Sequence, residues 1–215
     1  MIIQRIYDKY KIMPQLQLHM LRVAGVASII CDNFRKDIDK ETVVTACLLH
    51  DIGNIIKSNL DFNKEELATK GISYWQEVKN EYTRKYGNNA DKANYKIGKE
   101  LKLPKRILSM YNKVGISKLK DIYSSKEYEL KLYEYSDLRV VPSGVVSLRE
   151  RIDEGFQRYS KEAQKKNYNK QSIISLLEKI EEQIFFHTDL KPEDITDRKV
   201  MPLILKLKNF DIKTL

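Results

Sequence analysis

The stretch "ACLLHDIGNIIK", Ala46–Lys57, sets one of the chain's three histidines directly before an aspartate at the end of an apolar run. The residues leading into it, "DIDKETVVTACLLHD", read as a buried helix. Asp39 is a suitable N-cap, and Glu41 falls in the first turn, where the helix dipole favours an acid. Gly53 is expected to turn left-handed and stop the helix. His50 and Asp51 then sit at the helix end. There the pair is either ordinary helix-end chemistry, since the dipole favours a histidine at that point, or half of a metal site. The rest of the chain decides between them.

A second apolar helix is expected in "PQLQLHMLRVAGVASIICDNF". Pro14 suits a first helical turn, and Leu16, Met20, Val23, Ala27 and Ile30 follow at spacings of three and four. Val26 and Ile29 widen the apolar face, so the helix is central rather than peripheral. It carries His19 near its start and Arg22 about one turn later. The two most apolar helices should pack together and bring His19 toward His50-Asp51. Imidazole nitrogens and carboxylate oxygens converging from separate elements suit a divalent metal, which also compensates a buried carboxylate. A fourth ligand is expected from a third core helix. Asp137 in "LYEYSDLRV" fits, because Leu130, Tyr133 and Asp137 share a face at i, i+3 and i+7.

The order His19, then His50-Asp51 in "LLHDIG", then Asp137 in "YSDLRV" resembles the HD-domain superfamily of metal-dependent phosphohydrolases, with its H…HD…D pattern. The separations, 31 residues from His19 to His50 and 86 from Asp51 to Asp137, are in keeping with it. "HMLRVA" is similar to the family's first-ligand helix and "YSDLRVVPSGVVSLRERI" to its last-ligand region, so the resemblance covers roughly residues 14–155. It implies an all-α, HD-domain-like helical bundle with a C-terminal helical extension. Residues 1–157 would form the metal-binding domain, and residues 158–215 a cap or association segment of the same globule. It also implies four ligands, His19, His50, Asp51 and Asp137, around one divalent ion (Mn, Fe, Co, Ni, Zn or Mg). Binuclear members carry extra histidines between the HD pair and the last aspartate. This chain has none between His50 and Asp137, which disfavours the binuclear phosphodiesterases, tetraphosphate hydrolases and diiron oxygenases.

The implied chemistry is hydrolysis of a nucleotide or related phosphate ester by metal-activated water. Asp51 is the central catalytic ligand. Arg22, Lys57 and Arg139 are candidates for binding substrate phosphate, and Lys57 also for charge stabilisation in the reaction. Several mononuclear relatives carry an acid three residues after the HD aspartate, where this chain has Asn54. Asn54 can orient water but cannot exchange a proton near neutral pH. Acid–base work would then fall to Asp61, Glu65 or Glu66, or to the metal-activated water alone. The alternative is a low-turnover binding or regulatory module for a nucleotide or nucleic acid.

The bulk numbers agree with a globular, mostly helical chain. Gly (8) and Pro (5) are too sparse for a turn-rich β fold. A net charge of +9 favours an anionic partner. Residues 151–215 hold 13 basic and 11 acidic residues, so most of the excess lies in residues 1–150, with the His50-Asp51 pair. Residues 92–113 hold seven basic residues and one acid, Glu100. They read as a solvated helix face or as an electropositive rim that draws phosphate toward the metal. Cys31 and Cys47 read as buried free thiols of a reducing compartment. No run approaches the roughly 18 apolar residues that span a bilayer. A cytoplasmic protein without a membrane partner is expected, with a homo-oligomer left open. Pro202 in "DRKVMPLILKLKNF" predicts a kink or late start in the last helix.

Overall fold

Three helices build the centre of the molecule and meet one another along their apolar faces: α2 (Pro14–Asp32), α3 (Lys40–Leu49) and α8 (Tyr128–Asp137). The computed structural model describes residues 1–63, 67, 69–158 and 168–214. From Met20 to Ser28 every residue of α2 is buried, so this helix is enclosed on all sides. That is the burial expected of a helix whose apolar positions exceed one stripe. α3 starts as its sequence requires, with Asp39 Oδ1 accepting from the Thr42 N–H at 3.0 Å.

Further helices surround this trio. α1 (Ile3–Lys9) precedes it, and α4 (Ile72–Tyr86), α5 (Ala90–Glu100), α6 (Lys105–Tyr111) and α7 (Leu119–Ser124) lie between α3 and α8. A short hairpin follows α8, with β1 (Val140–Val141) antiparallel to β2 (Gly144–Val145) and Val141 paired with Gly144. α9 (Leu148–Arg158) and α10 (Lys170–Phe185) then pack on each other, and α10 covers α7 and α8. Among the described residues the rest is helix and turn, so the fold is all-α apart from that hairpin. No described helix is long and apolar enough to cross a membrane.

The last residues return across the bundle. α11 (Asp197–Val200), a 3-10 turn (Met201–Leu203) and α12 (Ile204–Lys208) lie against α2. Pro202 sits in the 3-10 turn, where the expected break occurs. Val200 fills the place a side chain would take at Gly25: a Cβ there would lie 2.7 Å from Val200 Cγ1. The amino terminus is tied to the same strap, since the Met1 ammonium donates to Asp211 Oδ1 at 2.7 Å and Ile2 bridges to Asp211.

Gly53 departs from expectation. Its φ of −95° is not left-handed. It is glycine because α5 approaches closely: a Cβ would lie 2.8 Å from Ala93 Cβ and 2.9 Å from Asn94 Oδ1. The Gly53 N–H donates to Asn94 Oδ1 at 2.6 Å, which pins the HD turn to α5.

Candidate metal centre

His19 reaches the site from the first half of α2, His50 caps the C-terminal end of α3, and Asp137 is the last residue of α8. Their polar atoms converge. His19 Nε2 lies 3.2 Å from His50 Nε2 and 3.0 Å from Asp137 Oδ1. His50 Nε2 is 3.3 Å from Asp137 Oδ1. Asp51 Oδ2 completes the group at 3.8 Å from His19 Nε2 and 3.7 Å from His50 Nε2. The ligand atoms of His19, His50 and Asp51 all lie within 4.8 Å of one another, compact enough for one ion to touch all three.

The surroundings fix the orientation of these groups. His50 Nδ1 is 2.8 Å from the Cys47 carbonyl oxygen. A carbonyl only accepts, so Nδ1 carries a hydrogen and Nε2 faces the cluster, where it holds a proton in the metal-free chain and would offer its lone pair to a metal on losing it. Tyr133 meets the His50 ring edge-on, with centroids 6.0 Å apart. His50 is buried, whereas Asp51 and Asp137 keep partial access to solvent.

Charge gives the same answer. Burial works to lower the His50 pKa, yet the Asp51 and Asp137 carboxylates push it up to about 9. Burial likewise works to raise Asp137, yet His50 and then His19 hold its carboxyl well below the usual range. Two carboxylates facing two imidazoles therefore retain positive charge between them, and a divalent cation fits that place in donor type, spacing and sign.

The four expected ligands are thus brought together, and of the other expected site residues Arg22 and Arg139 are engaged elsewhere. Arg139 is engaged within the fold. It is buried, its Nε donates to Val146 O at 2.5 Å, its Nη2 to Ile195 O at 3.0 Å and Pro192 O at 3.2 Å, and its Nη1 to the Tyr135 hydroxyl. Its donors are spent on joining α8, the hairpin and the C-terminal strap. Arg22 is likewise engaged within the fold. It is buried, its Nη1 donates to Pro142 O at 2.9 Å, and its Nε forms a 3.1 Å ion pair with Asp197 that is not aligned as a hydrogen bond.

Lys57 is exposed at the end of the 3-10 turn Asn54–Lys57 that leaves the HD pair. Asn54 is buried, and its Oδ1 has no hydrogen-bond partner among the described residues. Its N–H donates to Asp51 O at 2.9 Å, which ties it to the ligand-bearing turn. Asp61 is exposed beyond that turn, and Glu65 and Glu66 lie outside the described residues.

Sequence reasoning missed Glu134, one turn before Asp137 on α8. It is buried, and its Oε2 accepts from the Gly115 N–H at 2.8 Å. Burial pushes its pKa up to about 7. An acid amid the aromatic and aliphatic residues of "KLYEYSD" was the available signal.

Residues 17–110 match the family model described as the HD domain. This stretch is an HD domain. It contains His19, His50 and Asp51 and ends before Asp137, so three of the four clustered residues fall inside the matched region. No curated protein matches the chain, and no solved structure does.

Proposed function

We propose that the chain is a single-metal phosphohydrolase that cleaves a phosphate ester or anhydride of a nucleotide or related small molecule. The supporting observation is the convergence of His19, His50, Asp51 and Asp137 from three separate elements onto one point. His19 and His50 would hold a divalent ion through Nε2, and Asp51 and Asp137 through carboxylate oxygens. When bound, such an ion supplies Lewis-acid chemistry, acidifying water and neutralising charge on the phosphoryl oxygens.

The chain's own residues do the rest. Cys47 O holds the His50 tautomer, and Tyr133 walls the imidazole from the interior. Lys57 is the expected cation still facing solvent, and it contacts substrate phosphate. Asn54 Oδ1 accepts a hydrogen bond from the attacking water and orients it, without taking the proton. The two buried free thiols suit a reducing, cytoplasmic setting.

Asn54 also favours a second reading, a low-turnover module that binds its nucleotide and releases little product. The test is metal analysis of the purified chain, followed by phosphate release from a nucleotide panel with Mn²⁺, Co²⁺, Ni²⁺ and Mg²⁺. Release that is abolished in Asp51→Ala with folding intact supports the hydrolase. Metal bound without release from any substrate supports the module. Absence of both metal and release defeats the two together.

A further inference from the structure

The far end of the bundle carries a shelf of rings and cations that the hydrolase reading does not use. The chain leaving α2 supplies Phe34, Arg35 and Lys36, the first residue of α8 is Tyr128, and the end of α10 is followed by Phe186 and His187. The rings touch in series. Phe34 lies 5.4 Å from Tyr128 and 5.8 Å from His187, His187 lies 4.9 Å from Tyr128, and Phe186 lies 5.0 Å from His187, all centroid to centroid.

The shelf is held in shape by its backbone. Phe34 bridges to Thr188, and the Arg35 N–H donates to His187 O at 2.7 Å. His187 Nε2 is 2.8 Å from the Tyr128 hydroxyl. Phe186 is nevertheless 74% exposed, the most exposed large apolar residue described, so it is presented rather than packed.

Its charge is one-sided. Lys36 Nζ and Lys131 Nζ lie 4.8 and 5.2 Å from the centre of the Tyr128 ring. Lys131 is buried, and its ammonium is satisfied by Tyr123 O and Gln183 Oε1, neutral oxygens with no carboxylate among them. An ion kept from water without a counter-charge is costly. Arg35 pairs with Asp189 at 3.1 Å, and Asp32 is taken by Lys40. After burial, the groups acting on the His187 ring are Lys36, Arg35 and Lys131, all cationic, and together they lower its pKa. The imidazole therefore stays neutral near pH 7 and adds an uncharged π surface.

Exposed rings beside Arg35, whose acidic partner is the single exposed Asp189, and beside Lys36 and Lys131, which have no carboxylate partner among the described residues, match an anion with planar faces. We propose that this shelf binds single-stranded nucleic acid, with bases stacking on Phe186 and His187 and phosphates drawn by Arg35 and Lys36. The site is separate from the metal cluster. Along α2 and α8 it lies about 14–20 Å away, from the helical rise between His19 and Asp32 and between Tyr128 and Asp137.

The test is fluorescence anisotropy of a labelled oligothymidylate of about 12 nucleotides, titrated with the full chain in EDTA so that hydrolysis cannot intervene. The expected result is binding that weakens as salt rises. Phe186→Ala and Lys36→Glu, both at exposed positions, should each weaken it about tenfold or more. Lys92→Glu, in the basic stretch of α5, should leave it unchanged. The proposal is overturned by no binding, by shelf variants that bind like the parent, or by loss of binding in Lys92→Glu alone. Equal affinity for a matched duplex with no effect of Phe186→Ala also overturns it, as does binding to phosphatidylserine vesicles without binding to the oligonucleotide.

Discussion

The two ends of the α2–α8 pair are electrostatic opposites. At one end, carboxylates from α8 and the HD turn crowd two imidazoles until His50 holds a proton up to about 9. At the other, cations crowd a third imidazole, His187, and with burial drive its pKa down. The same residue type on the same scaffold is charged at one end and neutral at the other, because the sign of the neighbouring charge differs. The anionic end calls for a cation, and the cationic end for an anion.

The largest effect that breaks this contrast is loss of a carboxylate at the anionic end. Asp137→Ala leaves His19 and His50 with Asp51 as their sole acid in the cluster. It should abolish metal-dependent phosphate release, a loss of about a thousandfold or more, since a metal supplies several kcal/mol of transition-state stabilisation. Far-ultraviolet circular dichroism checks that the helices remain.

Next in size is Arg139→Ala, at the junction between α8, the hairpin and the strap. It strands three backbone carbonyls, Val146, Pro192 and Ile195, and should cost about 3–5 kcal/mol in denaturant unfolding. A cost below about 1 kcal/mol would contradict that anchoring role.

Glu134 sharpens the comparison through pH. Its folded pKa of about 7 lies above the free value of 4.5, so between these the native state holds a proton that the unfolded chain has released. Its favourable contribution is therefore fully present below 4.5 and is lost as the pH rises through about 7. Glu134→Gln, which can still accept from Gly115, should remove that slope. It should stabilise the metal-free chain above pH 7 by on the order of 3 kcal/mol, measured by chemical unfolding across pH.

The smallest effect concerns the strap. Gly25→Ala pushes a Cβ into Val200 and should cost about 1–3 kcal/mol. Thermal unfolding should show that loss, with the metal affinity held.

The ligand cluster was legible because each ligand lies on or at the end of a helix whose apolar spacing is plain, and because the two most apolar helices, α2 and α3, were bound to pack together. The surroundings of Arg139 and Arg22 were not. Arg139 lies past the end of α8, in the turn before β1, and the carbonyls that hold it, Val146, Pro192 and Ile195, come later in the chain with no local signal. Arg22 does share a face with His19, but the groups that claim it, Pro142 and Asp197, lie far along the chain and have no local signal. Gly53 was read for its backbone freedom, whereas the cause is the approach of α5. The hairpin at Val140–Val145 was not legible either, because two-residue strands leave almost no periodicity.

The central claim is that four side chains form one metal site. Isothermal titration of the metal-free chain with Co²⁺ tests it most directly, comparing the parent with His50→Ala and Asp137→Ala. The account predicts one tightly bound ion per chain in the parent and none in either variant. Undetectable binding in the parent, or undiminished binding in both variants, would contradict it.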